Sequence, residues 1–83
     1  MVTVTLDMYS DVPLYRQLAD VLRQRIVSGE IPPRSPLPSG KTLVETYGVA
    51  RGTVEKAVRV LQAEGLVGTV PGRGIFVVPA EER

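Results

Sequence analysis

The sequence predicts a mainly α-helical domain with a small β-hairpin: a winged helix-turn-helix of three helices and a two-stranded wing. Three observations carry that prediction. Two short helical stripes are separated by Gly48 and Val49, room only for a tight turn between helices. Four prolines fall within residues 31–38, so no helix runs through them and a first helix stands apart from the other two. Two apolar runs follow the third helix, joined by Pro71-Gly72-Arg73-Gly74, the composition of a hairpin tip.

The elements follow in chain order. Val2, Val4 and Leu6 alternate with Thr3 and Thr5, the period of an extended arm or edge strand, and residues 1–12 are read as an N-terminal arm. Ser10 or Asp11 is placed to cap the first helix, and Pro13 suits its first turn, where a missing N–H costs nothing. Leu14, Leu18, Val21, Leu22 and Ile26 then share one helical face, and Gly29 closes the helix. Residues 31–38 read as an ordered linker with a two- or three-residue strand near 35–37. Ser39 caps a second helix ending near Tyr47, with Leu43, Val44 and Tyr47 on its buried side. Gly48 supplies the positive φ of the turn, and Val49 is a buried turn residue. A third helix spans about 51–64 on a stripe of Val54, Ala57, Val58 and Leu61, closed by Gly65. Residues 66–70 and 75–78 are the wing strands. The polar tail, 79–83, is expected to fray. The domain proper is thus residues 13–78.

Composition narrows the function classes. The chain has 83 residues, enough for one domain, and 43% of them are hydrophobic, enough for a core. It has no cysteine and no histidine, which removes disulfides and the usual zinc ligand sets. The commonest nucleophile and general base go with them, so the chain is read as no enzyme and no cofactor is expected. No apolar run approaches the roughly 18 residues of a membrane span, and residues 1–6 lack the basic start of a signal peptide. A cytoplasmic chain without membrane contact is expected. Net charge is only +1, but its distribution is uneven. Arg34, Lys41, Arg51, Lys56 and Arg59 face only Glu45 and Glu55 in the middle third, while each outer third carries a net negative charge. A sequence pI of about 8.1 is low for a strongly basic binding domain, so pattern has to decide.

The third helix is the place to look. Turning about 100° per residue, it points Gly52, Lys56 and Arg59 away from the core stripe and sets Arg51 and Glu55 on the flank. Arginine can bond guanine bidentately, threonine can touch a base edge or phosphate, and lysine can hold phosphate. Arg51, Gly52, Thr53, Glu55, Lys56 and Arg59 therefore suit a DNA major groove; an ordinary solvated helix face would carry similar residues. Gly52 is the less ordinary choice, because a plain surface helix favours a better helix former there. Lacking a side chain, it allows the helix N-terminus, with its free N–H groups, to approach a phosphate. Glu55 lies four residues after Arg51 and four before Arg59. It either holds both arginines by ion pairs or accepts a hydrogen bond from a cytosine amino group. Arg73, between Gly72 and Gly74 at the wing tip, can reach a minor groove or a phosphate; alternatively the glycines only make the turn.

Ser39-Gly40-Lys41-Thr42 imitates the end of a phosphate-binding loop, but Ser35 stands where that motif needs its first glycine and a proline-rich stretch replaces the preceding strand. Ser39 is better read as a cap, with Lys41 reaching a DNA phosphate from the next turn.

With these motifs in place, the chain resembles the GntR family of bacterial transcription regulators over about residues 13–78. Pro13-Leu14-Tyr15 and Ser28-Gly29-Glu30-Ile31 look like that family's first helix and its exit. Leu37-Pro38-Ser39-Gly40-Lys41-Thr42-Leu43 is similar to its Leu-Pro-Ser-Glu-Arg-Glu-Leu segment. Tyr47-Gly48-Val49-Ala50-Arg51-Gly52-Thr53-Val54 resembles its Phe-Gly-Val-Ser-Arg-x-Thr-Val. Leu61-Gln62-Ala63-Glu64-Gly65-Leu66-Val67 and Gly72-Arg73-Gly74-Ile75-Phe76-Val77 look like its helix end and wing. The resemblance implies DNA contacts at Lys41, Arg51, Gly52, Thr53, Glu55 and 72–74. It also shows departures: Lys41 stands for an arginine, Ala50 for a capping serine or threonine, and Glu55 for an arginine common in the family. Members usually carry a C-terminal effector-binding or dimerisation domain; these residues read either as the DNA-binding domain of such a protein or as a short member, and no small-molecule effector site is expected within the chain. The expected partner is double-stranded DNA, a palindromic operator bound by a repressor that can act as a homodimer. A winged helix used only for protein–protein interaction is the alternative, distinguished by little or no salt-dependent DNA binding.

Overall fold

The computed structural model describes residues 6–83. Three α-helices are followed by a two-stranded antiparallel sheet and a short 3₁₀ turn. Helix α1 is Leu14–Ser28, α2 Gly40–Tyr47 and α3 Arg51–Ala63; strand β1 is Val67–Val70 and β2 Gly74–Val77. Leu18, Ala19, Leu22 and Ile26 of α1 are buried against Val54, Ala57, Val58 and Leu61 of α3. Leu43, Val49, Leu66 and Val77 complete the core from α2, the turn and the wing. Leu14 and Val21, expected on the buried face of α1, are only half-buried, while the neighbouring Ala19 is buried.

Both ends of the domain differ from expectation. Ser10 and Asp11 do not cap α1. The N-cap position is Pro13, which has no side-chain acceptor, and the helix starts one residue later. Ser10 Oγ instead accepts from the Val12 amide at 3.1 Å, closing a turn upstream. Gln17 ties this stretch down. Its side chain accepts from the Asp7 amide and donates to the carbonyls of Asp7 and Val12, each at 2.7 Å. Residues 7–12 are therefore turns folded onto α1 and not an extended arm, and the alternation in 1–5 lies outside the described residues. The tail is docked too. Pro79 is buried, Ala80–Glu82 form a 3₁₀ turn, and Arg83 Nε donates to the Val78 carbonyl at 2.9 Å. Glu82 pairs with Arg34. Proline restricts the backbone where α1 begins and where the tail turns, so polar composition alone misjudges both.

The linker becomes the third strand of the wing in all but length. Ser35 accepts from the Val77 amide, while Arg34 and Leu37 donate to Val77 and Ile75, each at 2.9 Å. Pro36 bridges Phe76 between these bonds, so its missing N–H leaves no gap. The strand expected near 35–37 is this bridge. The hairpin pairs Val67 with Val77 and Val70 with Gly74. Arg73 N–H reaches Val70 O at 2.9 Å across Pro71 and Gly72, whose φ is +77°, the residue pattern of a type II turn.

Candidate nucleic-acid interface

The surface in question is built from three helix and turn signals that the chain reads locally. Ser39, extended at φ −62° and ψ 158°, accepts the Thr42 amide on Oγ at 3.1 Å and so starts α2. Gly48 at φ +66° ends it, donating to Val44 O, and reverses the chain. Ala50 then enters α3 with no side-chain cap, leaving the first amides of that helix facing outward. At the far end Leu66 donates to Leu61 O and Gly65 to Gln62 O, with Gly65 at φ +78°. This paired closure delivers the chain directly into β1, so the wing lies beside α3.

The result is a concave cleft between the start of α2, one flank of α3 and the wing. Its floor is apolar: Leu37, Leu43, Val54, Val58 and Ile75. Its rim carries Ser39, Arg51, Glu55, Arg59, Arg73 and Gly74, six of the residues the sequence singles out. Arg51 is 86% exposed and Glu55 54%. Their closest approach, Arg51 Nε to Glu55 Oε1, is 3.8 Å, a loose ion pair outside hydrogen-bond range. The second pair expected of Glu55, with Arg59, does not form among the described residues.

The other five candidates lie beside the cleft. Lys41 is exposed in the first turn of α2, and Gly52 is exposed in the first turn of α3, where a Cβ would meet nothing within 4 Å. Thr53 is half-buried and Gly72 exposed at the wing tip. Lys56 turns the other way. Its ammonium stands 5.8 Å from the ring centroid of Tyr15, so it leans on α1 in a cation–π contact. The helical wheel places Lys56 on the outer face but does not say which neighbour that face overhangs.

One cleft residue escaped the sequence reading. Gln62 lines the cleft, and its Nε2 donates to Thr69 Oγ1 at 2.9 Å, fastening β1 to α3. It lies one turn beyond Arg59 on the flank already carrying Arg51 and Glu55. Extending that row would have found it. Away from the cleft, three arginines are paired. The Arg23 guanidinium donates to Glu64 through Nε and Nη2 at 2.7 and 2.6 Å and also bonds Asp20. Arg25 meets Glu30 at 2.8 Å, and Arg34 meets Glu82. Lys41, Arg59 and Arg73 take part in no ion pair among the described residues. Of the middle third's cations, Arg51 and Arg59 line the cleft and Lys41 flanks it.

The model of the bacterial regulatory proteins of the gntR family matches residues 14–77. The chain belongs to that family. The stretch is the one over which its motifs carry the resemblance. It is 41% identical over 68 residues to the HTH-type transcriptional repressor NagR of Bacillus subtilis, covering 82% of this chain and 28% of the repressor. It is also 41% identical over 71 residues to the mannosyl-D-glycerate transport/metabolism system repressor MngR of Escherichia coli, covering 86% of this chain and 29% of that protein. The chain thus spans less than a third of the length of these relatives. Among solved structures, YtrA from Sulfolobus acidocaldarius, a GntR-family transcription factor, is similar with a TM-score of 0.82 at 35% identity. That match covers 94% of this chain and 82% of YtrA. The AraR(DBD) in complex with operator ORE1 is similar with a TM-score of 0.78 at 31% identity, over 94% of this chain and 98% of that one. Both likenesses are to winged-helix folds of three helices and a two-stranded sheet, the fold class the sequence predicts.

Proposed function

We propose that this chain binds duplex DNA in a sequence-specific manner as the DNA-binding part of a bacterial transcription regulator, a repressor. Helix α3 enters the major groove, with Arg51 and its neighbours at base edges. The wing tip, 72–74, lies at the minor groove or backbone, and Lys41 and Ser39 face phosphate. The observation that carries this reading is the likeness to AraR(DBD), a domain solved on its operator, along nearly the whole of both chains. The cations at the cleft support it, with Arg59 and Arg73 in no ion pair among the described residues. A repressor acting on a palindromic operator as a homodimer in the cytoplasm is the form we expect, since two-fold sites match two-fold proteins.

The test is fluorescence anisotropy of labelled duplexes titrated with the chain at several salt concentrations. Phosphate contacts release counterions, so the logarithm of affinity should fall linearly with the logarithm of salt, by about 0.9 per phosphate neutralised. Selected duplexes should bind more tightly than scrambled ones. Affinity that ignores both salt and sequence would instead assign the chain to protein–protein interaction.

A further inference from the structure

We infer that Glu55 is a base-reading residue that selects cytosine at one position of each half-site. This rests on the DNA-binding reading above and extends it to a specific side chain.

Glu55 is not held in a tight ion pair. The other paired carboxylates are held close: Glu64 takes two bonds from Arg23, Glu30 lies 2.8 Å from Arg25, and Glu82 sits on Arg34. Among the described residues Glu55 meets only Arg51, and at 3.8 Å, too far to engage a carboxylate lone pair. Both groups are more than half exposed, so solvent screens what attraction remains. A pair of this kind does little to hold Arg51 in one orientation, and the hydrogen-bonding capacity of the carboxylate is unspent.

Its position makes that capacity significant. Glu55 lies on the rim of the cleft with Arg51, Arg59 and Arg73, so a negative charge stands among groups suited to phosphate. It opposes every duplex alike through the backbone. The opposition is offset only where a base presents a donor. Four residues along the helix from Arg51 is a displacement of about 6 Å along its axis, close to two base-pair steps. Arg51 and Glu55 can therefore face different base pairs, about two steps apart. In the major groove guanine offers only acceptors, N7 and O6, and thymine offers O4; a carboxylate is repelled by each. Adenine has a donor at N6 but an acceptor beside it at N7. In the duplex, adenine N6 lies between two acceptors, its own N7 and the paired thymine O4, whereas cytosine N4 has one only on the side of the paired guanine O6, so cytosine satisfies the carboxylate at the smallest penalty.

The experiment is selection of bound sites from a random duplex pool with the wild-type chain, Glu55→Ala, Glu55→Gln and Arg51→Ala. Wild-type sites should show cytosine at one position per half-site. Glu55→Ala should lower discrimination there about tenfold and leave the other positions intact. Glu55→Gln should move that position toward adenine, because an amide can bond N6 and N7 together. Arg51→Ala should erase a different position. If Glu55→Ala and Arg51→Ala erase the same position, Glu55 only positions Arg51 and the inference fails. It fails equally if Glu55→Ala leaves every position unchanged. A wild-type chain that enriches no sequence overturns the DNA-binding reading itself, a result separate from both of these.

Discussion

Arg51 and Gly52 are adjacent in the first turn of α3, and they separate two ways a residue can matter to DNA. Arg51 is 86% exposed and has only a loose partner, so it contributes almost nothing to the fold. Arg51→Ala should leave the thermal midpoint unchanged and weaken a selected operator by about 1–3 kcal/mol, the range of a bidentate base contact. Anisotropy on selected and scrambled duplexes checks it; equal loss on both would make Arg51 a phosphate contact. Lys41→Ala is the complement, weakening all duplexes alike and flattening the salt dependence. Gly52 gives the sharper contrast. A Cβ there meets nothing within 4 Å in the free protein, and its backbone is helical. Gly52→Ala should therefore stabilise the fold by about 0.5–1 kcal/mol, the ordinary gain of alanine over glycine in a helix. If the helix end lies against DNA, the same methyl group obstructs the approach and affinity falls. A variant more stable and equally tight in binding would show that the glycine serves no contact.

At the scale of elements, the decisive feature is the reversal between α2 and α3. Gly48 has φ +66° and ψ 35°, the left-handed conformation, with open space around its missing Cβ. Any penalty for a side chain there is backbone strain and not collision. Gly48→Ala should destabilise by about 1–2 kcal/mol and Gly48→Asn by less, because asparagine tolerates this conformation. Urea unfolding of the two variants measures the difference, and equal losses would point to a steric cause. This turn was legible because glycine sits between two helical stripes and few alternatives fit. The third helix was legible for a similar reason: Val54, Ala57, Val58 and Leu61 are all buried, as their spacing requires. The start of α1 was not. Ser10 and Asp11 have the chemistry of caps, but Pro13 decided where the helix begins, and their side chains were left to the preceding turns. Nor was the tail, since the burial of Pro79 and the Arg34–Glu82 pair depend on a linker distant in sequence. The same limit applied at the cleft. Spacing put Lys56 on an outer face, whereas only the packing of α1 beside α3 shows it leaning on Tyr15.

Across the whole molecule, the tightest ion pairs lie away from the cleft, whose rim holds the loosely paired Arg51 together with Arg59 and Arg73, which form no ion pair among the described residues. Arg23 joins α1 to the end of α3 by holding Glu64 in a two-point contact, with Asp20 on its other side. That hydrogen bonding keeps the Glu64 carboxyl below the usual carboxylate range, with a smaller opposing effect from desolvation. A carboxyl group that is more acidic folded than unfolded stabilises the fold fully above its unfolded pKa, about 4.3 for glutamate. That contribution is lost as pH falls below this value and through the lower folded one. Glu64 is 37% exposed, so screening keeps the effect modest, about 0.5 kcal/mol. Glu64→Gln should accordingly lower stability by a constant small amount between pH 5 and 8, and the gap to wild type should close below about pH 4. Denaturant unfolding of both chains across this range checks the sign as well as the size. Neither Arg23 nor Glu64 lines the cleft. Glu64→Gln at pH 7 should thus leave DNA affinity and its salt dependence unchanged while the fold weakens. A parallel loss of affinity would mean that the α1–α3 tie also sets the angle of the recognition surface.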